Sequence, residues 1–352
     1  MHIPVLSLFS GVFDLPWWGY ILVGVALTQV TIAAVTIFLH RHQTHRALDL
    51  HPIASHFFRL WLWLTTGMRT REWVAVHRKH HAKCETVDDP HSPKVLGINR
   101  VLWGGVGLYV TESAKPETIE RYGQGTPDDW LERNVYSKYV LIGLTLTGVT
   151  DVILFGVVPG VLIFLAQIAW IPFWAAGVIN GVGHWFGYRN WATEDVSSNM
   201  SPWGLWIGGE ELHNNHHAHP TSAKFSSKWF EFDLGWMYLT IMSALGLAKI
   251  KYLAPVPRFA AAKSQADLHT LQAVLVNRYD VMERYEKTVE RVSAQGERHT
   301  VHAMREELAL LWKRSMQSSE QLVNQLRDWC RRAEASGVAP LAAFSLRLRS
   351  YA

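Results

Sequence analysis

From residue 17 to residue 39 the chain carries no charged side chain. As a helix those residues rise about 34 Å, enough to cross a hydrocarbon core of about 30 Å. A second stretch, residues 139–183, holds a single charge, Asp151. It has room for two more spans, at about 139–158 and 160–180, with the break expected at Pro159-Gly160 and Asp151 near the far interface. The length of 352 residues would suit two soluble domains, but apolar residues concentrated in this way predict an integral membrane protein. Residues 53–68 are apolar but short and include His56 and Arg59. They read as a helix lying on or dipping into the membrane surface. Residues 3–13 and 234–247 read as interfacial, and residues 1–16 lack the basic start of a signal peptide.

Basic residues cluster after the first span: Arg41, Arg46, Arg59, Arg69, Arg71, Arg78 and Lys79. That bias places the following loops in the cytoplasm. It also accounts for the net charge of +4 without nucleic-acid binding. The two cysteines, Cys84 and Cys330, form no zinc or iron–sulfur spacing and no disulfide framework.

Ten of the chain's 18 histidines, nine of them besides His42, sit at the ends of these apolar segments. They fall in His40-Arg41-His42-Gln43-Thr44-His45, His77-Arg78-Lys79-His80-His81, Asn180-Gly181-Val182-Gly183-His184 and His213-Asn214-Asn215-His216-His217. Two of the clusters share the pattern H-x-x-H-H, and offsets of three and four fall on one helix face. Each can therefore aim two or three imidazoles at one point. His40 and His45 would lie about 140° apart on an ideal helix, so that pair is expected to bridge a helix end and the loop beyond it. A lone histidine on an apolar face is usually a satisfied core residue, but repeated clusters at segment ends are not explained so. Imidazole suits iron, copper, zinc and nickel, and nine nitrogens exceed the needs of one ion. Two metals follow. Zinc sites close at about four ligands and often recruit cysteine, and haem takes one or two axial histidines, so neither fits the count.

Residues 84–138 are polar. Thr126-Pro127-Asp128-Asp129 predicts a helix start with Thr126 as its cap. Composition changes at Pro255-Val256-Pro257, which marks a linker over residues 255–263 between a first domain, 1–254, and a helical tail of unknown role, 264–352. In the tail Leu268, Leu271, Leu275, Met282, Tyr285, Val289 and Val292 recur at helical spacing. A second stripe runs over residues 301–332, interrupted at Ser315 and Ser318. The pattern predicts a two-helix hairpin turning near Gly296.

With these pieces in view, residues 17–253 resemble the membrane fatty acyl desaturases, most closely the bacterial DesA-like delta-9 group. The likeness rests on context as well as on histidines. Glu72-Trp73 precedes the second cluster, Asp89-Pro90-His91 follows it, and residues 180–189 read N-G-V-G-H-W-F-G-Y-R. Residues 209–220 read G-E-E-L-H-N-N-H-H-A-H-P. The resemblance implies an all-α integral membrane bundle with a cytoplasmic di-iron histidine cap, and the helical hairpin of the tail, beyond residue 257, lies outside the shared pattern. It implies an oxidoreductase that uses O2 and two electrons from a separate donor protein to insert a cis double bond, at the delta-9 position, into a saturated acyl chain. Carried over by position, one iron is held by His40, His45, His77, His81 and His216. The other is held by His80, His184, His213 and His217, with Asn180 contacting it through water. Trp73 lines the acyl tunnel. Glu72, Asp89, Glu210 and Glu211 are expected to orient imidazole N–H groups.

The chain departs from the animal acyl-CoA enzymes in two ways. It has one clear span before the first cluster rather than two, and Ala75-Val76 stands where they carry a charged pair. A membrane-lipid acyl chain is therefore expected over acyl-CoA. A related hydroxylase or ketolase is the rival within the same chemistry. A metal-binding transporter or sensor is the non-enzymatic rival, although transporters bind at mid-membrane between spans. The location implied is a bacterial cytoplasmic membrane.

Overall fold

The computed structural model describes residues 10–290, 295–312 and 318–352, and they are mainly helical. The chain forms two compact units, one reaching to Arg189 and resuming over Glu194–Ala254, the other Asn190–Thr193 with Pro255–Ala352.

In the first unit α1 runs over Trp17–Thr44. Then come β1 (Leu48–Leu50), α2 (Pro52–Thr65), α3 (Thr70–Lys83), α4 (Ile98–Ser113), α5 (Pro116–Tyr122) and α6 (Val140–Phe155). α7 spans Val157–Val182, and β2 (Trp203–Gly204), α8 (His213–Ala218), β3 (Phe232–Asp233), α9 (Leu234–Ala244) and β4 (Ala248–Ile250) complete the unit. Two of these helices, α1 and α7, are long and apolar enough to cross a membrane. α7 packs against α1 and α6, α6 also against α2, and α4 against the upper part of α7. The strands are minor: β1 pairs antiparallel with β4, and β2 parallel with β3.

Two expected boundaries move. The break between α6 and α7 falls at Gly156, not at Pro159-Gly160. Gly156 has φ 88° and ψ 168°, a region open essentially to glycine alone. Pro159 sits in the first turn of α7, where its missing N–H costs nothing. Gly156→Ala is expected to lower stability by about 1–3 kcal/mol, read as a fall in the thermal unfolding midpoint of the detergent-solubilised protein. The second shift is at Thr126. Asp129, three residues on, accepts the Glu132 N–H at 3.0 Å and starts the helical turn there. Asp129 also takes both Arg59 guanidinium nitrogens, at 2.6 and 2.8 Å, which ties this turn to α2. Asp151 is buried and accepts from Gln167 Nε2 at 2.8 Å across the α6–α7 contact.

α1 is not a regular α-helix throughout. From Ala34 to Thr44 its hydrogen bonds run to the fifth residue back, and the His45 N–H continues them to the His40 carbonyl at 3.1 Å. The Thr44 hydroxyl supports the widened turn by donating to the Leu39 carbonyl at 2.8 Å. α7 widens in the same way over Pro172–Ile179.

The second unit is not a two-helix hairpin. Among the described residues it holds five helices: α10 (Leu268–Val276), α11 (Arg278–Val289), α12 (Gln295–Leu310), α13 (Ser319–Ala335) and α14 (Ala339–Leu348). Ser318, expected to interrupt a stripe, instead caps α13. Its hydroxyl accepts the Gln321 N–H while the Gln321 side chain accepts the Ser318 N–H, a capping box. The core gathers Leu271, Val281, Tyr285, Leu308, Trp329 and Phe344. The Trp329 indole donates to the Met304 carbonyl and the Tyr285 hydroxyl to that of Val301. Residues 258–263, expected as linker, hydrogen-bond to the chain's end: Ala260 N–H to Ser350 O, and Ala352 N–H to Arg258 O. Ser315 and most of the interfacial start expected at residues 3–13 lie outside the described residues, as do residues 291–294 beside the expected hairpin turn.

Candidate metal centre

The histidine-bearing ends of α1, α3 and α7 meet the short helix α8, and two sets of imidazoles converge there. His40, His45, His77, His81 and His216 form one set, and His80, His184, His213 and His217 the other. In each, one ligand atom per residue lies within 4.8 Å of all the rest. α3 serves both, because neighbours on a helix point about 100° apart: His77 and His81 turn to the first set, His80 to the second. α8 divides likewise between His216 and its neighbours His213 and His217.

His40 and His45 come together for a reason that an ideal helix does not allow. When hydrogen bonds span five residues, residues five apart stand above one another. Their rings are 4.8 Å apart, with His40 inside the widened turn and His45 just beyond the helix end, so the pair does bridge the helix end and the loop after it.

α8 is only six residues long and wholly buried, so its polar groups need partners. Asn199 and Asn215 exchange hydrogen bonds, with the Asn215 N–H reaching Asn199 Oδ1 at 3.2 Å and Asn199 Nδ2 reaching Asn215 Oδ1 at 3.1 Å. Asn215 Nδ2 goes on to Glu231 at 2.8 Å. The fully buried Arg41 braces the same region. It donates to Asp233 Oδ1 at 2.9 Å and lies 3.9 Å over the Phe225 ring. Asp233 in turn caps α9 through the Trp236 N–H.

Four imidazoles have a carboxylate behind them. Nδ1 of His40 lies 2.7 Å from Glu210, that of His80 3.0 Å from Asp89, that of His184 3.0 Å from Glu85, and that of His217 3.1 Å from Asp195. Thr36 steadies Glu210 by donating to it at 2.7 Å. Of the acids expected in this role, Asp89 and Glu210 are so placed. Glu72 pairs with Arg69. Glu211 accepts the backbone N–H groups of Trp206, Ile207 and Gly209, shaping the loop before α8. Glu85 and Asp195 were missed. No spacing marks either, although Glu85 adopts φ 64°, strain of the kind that collects at functional sites.

With Nδ1 facing a carboxylate, the proton sits on Nδ1 and Nε2 presents a lone pair. The Nε2 atoms of the two sets crowd together: His40 Nε2 lies 2.9 Å from His77 Nε2 and 3.1 Å from His216 Nε2, and His213 Nε2 lies 2.9 Å from His184 Nε2. Nε2 of His45, His80 and His217 is buried with no hydrogen-bond partner. Converging buried lone pairs repel one another unless a cation lies among them, so the donor sets fit metal ions. Burial holds the imidazoles of His45, His77, His81, His213 and His216 well below the usual histidine range, and neighbouring rings add to the effect. His217 is pushed down to about 3, chiefly by burial. All are therefore neutral at physiological pH, the form that ligates.

His42 points elsewhere, to the Leu48 carbonyl at 3.0 Å. His91 is buried and stacks on His80 with centroids 4.3 Å apart.

Beside the clusters lies a cavity of about 250 Å³ between α1, α3, α4 and α7. His40, His77, His213 and Glu210 line its inner end, and Asn180 lines it on α7. Trp73 forms part of the wall, stacked on the His77 ring at 5.1 Å. The rest is mainly apolar.

The model of the fatty acid desaturase family matches residues 15–227. An sn-1 stearoyl-lipid 9-desaturase of Synechocystis sp. is 30% identical over 227 residues, covering 63% of this chain and 68% of that protein. A protein of the same description from Anabaena variabilis is 31% identical over 232 residues, covering 64% and 82%. The acyl-CoA C20 Delta5-desaturase of Anemone leveillei is 30% identical over 227 residues, covering 62% and 68%.

Proposed function

This chain belongs to the fatty acid desaturase family, an oxidoreductase that desaturates fatty acyl chains, and we propose that it places a cis double bond at the delta-9 position of a membrane-lipid acyl chain. One observation carries the reading: two sets of converging buried imidazoles, four of them backed by carboxylates, adjoin the inner end of a mainly apolar cavity. An iron pair would find two nitrogen-only donor sets here, His40, His45, His77, His81 and His216 for one ion and His80, His184, His213 and His217 for the other. Asn180, on the cavity wall one helical turn before His184, would contact the second ion through a water. Iron bound there supplies, with O2 and two electrons from a separate donor protein, the oxidant that removes two hydrogens from adjacent methylenes.

The chain's own residues do the rest. The apolar walls exclude water and hold a flexible saturated chain with one methylene pair against the inner end, and such positioning contributes several kcal/mol to the rate. The Trp73 indole, fixed by its stack on His77, forms part of the wall that sets the chain's path. Glu85, Asp89, Asp195 and Glu210 keep the proton on Nδ1 and turn Nε2 inward.

α1, α6 and α7 span the membrane, and the histidine loops face the cytoplasm. Pro159 would lie about 30 Å along α7 from Asn180, on the opposite side. The names of the lipid-linked relatives support a lipid substrate, and the described residues lining the cavity include no lysine or arginine to meet coenzyme A phosphates. Gas chromatography of lipids from a host expressing the chain tests the reading. A new cis-9 monounsaturated acyl group is expected in glycerolipid, and a hydroxylated product or an unchanged profile would overturn it.

Residues 255–352 are proposed to be dispensable for the chemistry. A chain ending at Ala254 is expected to keep its full iron content, measured by elemental analysis of the purified protein. Loss of iron from a well-expressed truncation would make the second unit part of the centre.

A further inference from the structure

The cavity beside the clusters is walled on one side by α4, and the α4–α7 contact is uneven. At one point it is as tight as two helices can be: a Cβ on Gly105 would lie 2.1 Å from the Ala176 carbonyl oxygen. Five residues further along α4, about 7.5 Å, the contact has opened. Val106 and Val110 line the cavity, yet they are 47% and 56% exposed. They continue a stripe begun by Trp103, which is 73% exposed and does not line the cavity, so this face of α4 looks outward. Opposite them Pro172 of α7 both lines the cavity and is exposed.

Pro172 explains the opening. It lacks the N–H that would bond to the Ile168 carbonyl, and the widened part of α7 begins at that residue. Widening changes the helix phase and leaves α4 touching α7 above this point but not beside it. The surface around the gap is apolar. Trp103 and Phe173 flank it on the outside with ring centroids 6.3 Å apart, the kind of aromatic pair found at a membrane interface.

We propose that this gap between Val106, Val110 and Pro172 is a lateral portal through which the acyl chain of a bilayer lipid enters the cavity, its head group staying at the interface. The proposal rests on the desaturase reading above and adds the route. A free acyl-CoA would have to carry its phosphates across an apolar rim, where the lining offers no cation. A lipid already in the bilayer brings only its chain and leaves no charge to desolvate.

The test blocks the portal after folding. Val110→Cys and, as control, Trp103→Cys are purified as full chains with iron and electron donor in phosphatidylcholine nanodiscs, then treated with a bulky lipid-soluble thiol reagent. The parent receives the same treatment, which controls for Cys84 and Cys330. Labelled Val110→Cys is expected to lose at least tenfold in phosphatidylcholine desaturation with iron content unchanged, while labelled Trp103→Cys keeps its rate. Equal rates before and after labelling at residue 110 would overturn the portal. A second measurement does not depend on turnover. Phosphatidylcholine with a diazirine midway along its sn-1 chain is photolysed in the same nanodiscs, and the attachment sites are mapped by mass spectrometry. Attachment at Val106, Val110 or Pro172, abolished by the label at 110, supports the portal even if no double bond forms. Attachment confined to other surfaces overturns it, even in an active desaturase.

Discussion

His216→Ala is expected to abolish turnover, a loss of at least a thousandfold, and to leave the purified protein with about one iron in place of two. Three distances make this the most damaging single change. His216 Nε2 lies 3.1 Å from His40 Nε2 and 2.9 Å from His81 Nε2, and its ring centroid is 4.7 Å from that of His45. It therefore sits among the other donors of its set, and alanine would leave a gap that no neighbouring group fills. His81→Ala should behave alike. His42→Ala supplies the contrast: its ring faces the Leu48 carbonyl, so both irons and most activity should remain. Elemental analysis with product chromatography reads both outcomes. An active His216→Ala enzyme with two irons would remove this residue from the centre.

The second large effect concerns the acids that the histidine patterns do not announce. Glu85→Ala and Asp195→Ala each leave a ligand imidazole, His184 or His217, without the acceptor for its Nδ1 proton. The ring is then free to rotate or to change tautomer, and losses of about 10–100-fold in metal affinity or activity are expected. Both act on one donor set, so competition with a chelator should strip one iron of two from either variant and leave the other in place. Equal loss of both ions would mean that the two sets do not bind independently. No loss at all would mean that packing alone orients the rings.

What could be read ahead of the structure follows from periodicity. Offsets of three and four in H-x-x-H-H translate directly into a shared helix face, so His77 with His81 and His213 with His217 were legible as converging pairs. The five-residue offset of His40 and His45 was not, because the widening of α1 depends on local hydrogen bonds such as Thr44 to Leu39. The Pro159 signal misled because proline ends a helix only when its N–H is needed, and in a first turn it is not. Ser318 was visible as the start of an S-x-x-Q capping box, yet within an apolar stripe it read as an interruption, and five helices were taken for two. Glu85 and Asp195 carry no periodic signature at all, since loops bring them to the rings.

The widened stretch of α1 has a last consequence, one of phase. The upstream half of this helix buries Gly24, Thr28, Thr31 and Ile32 and turns Trp17, Ile21 and Val25 outward. The far end delivers His40 and His45. Between the two lies an insertion-like turn, and each residue of a helix advances its face by about 100°. Deleting one residue from Val35 to Leu39 would leave the H-x4-H spacing untouched while swinging the buried stripe through about that angle relative to the imidazoles. The apolar upstream half and the half that carries His40 and His45 are thus keyed to each other like two gears on one shaft, with a single residue as the tooth between them.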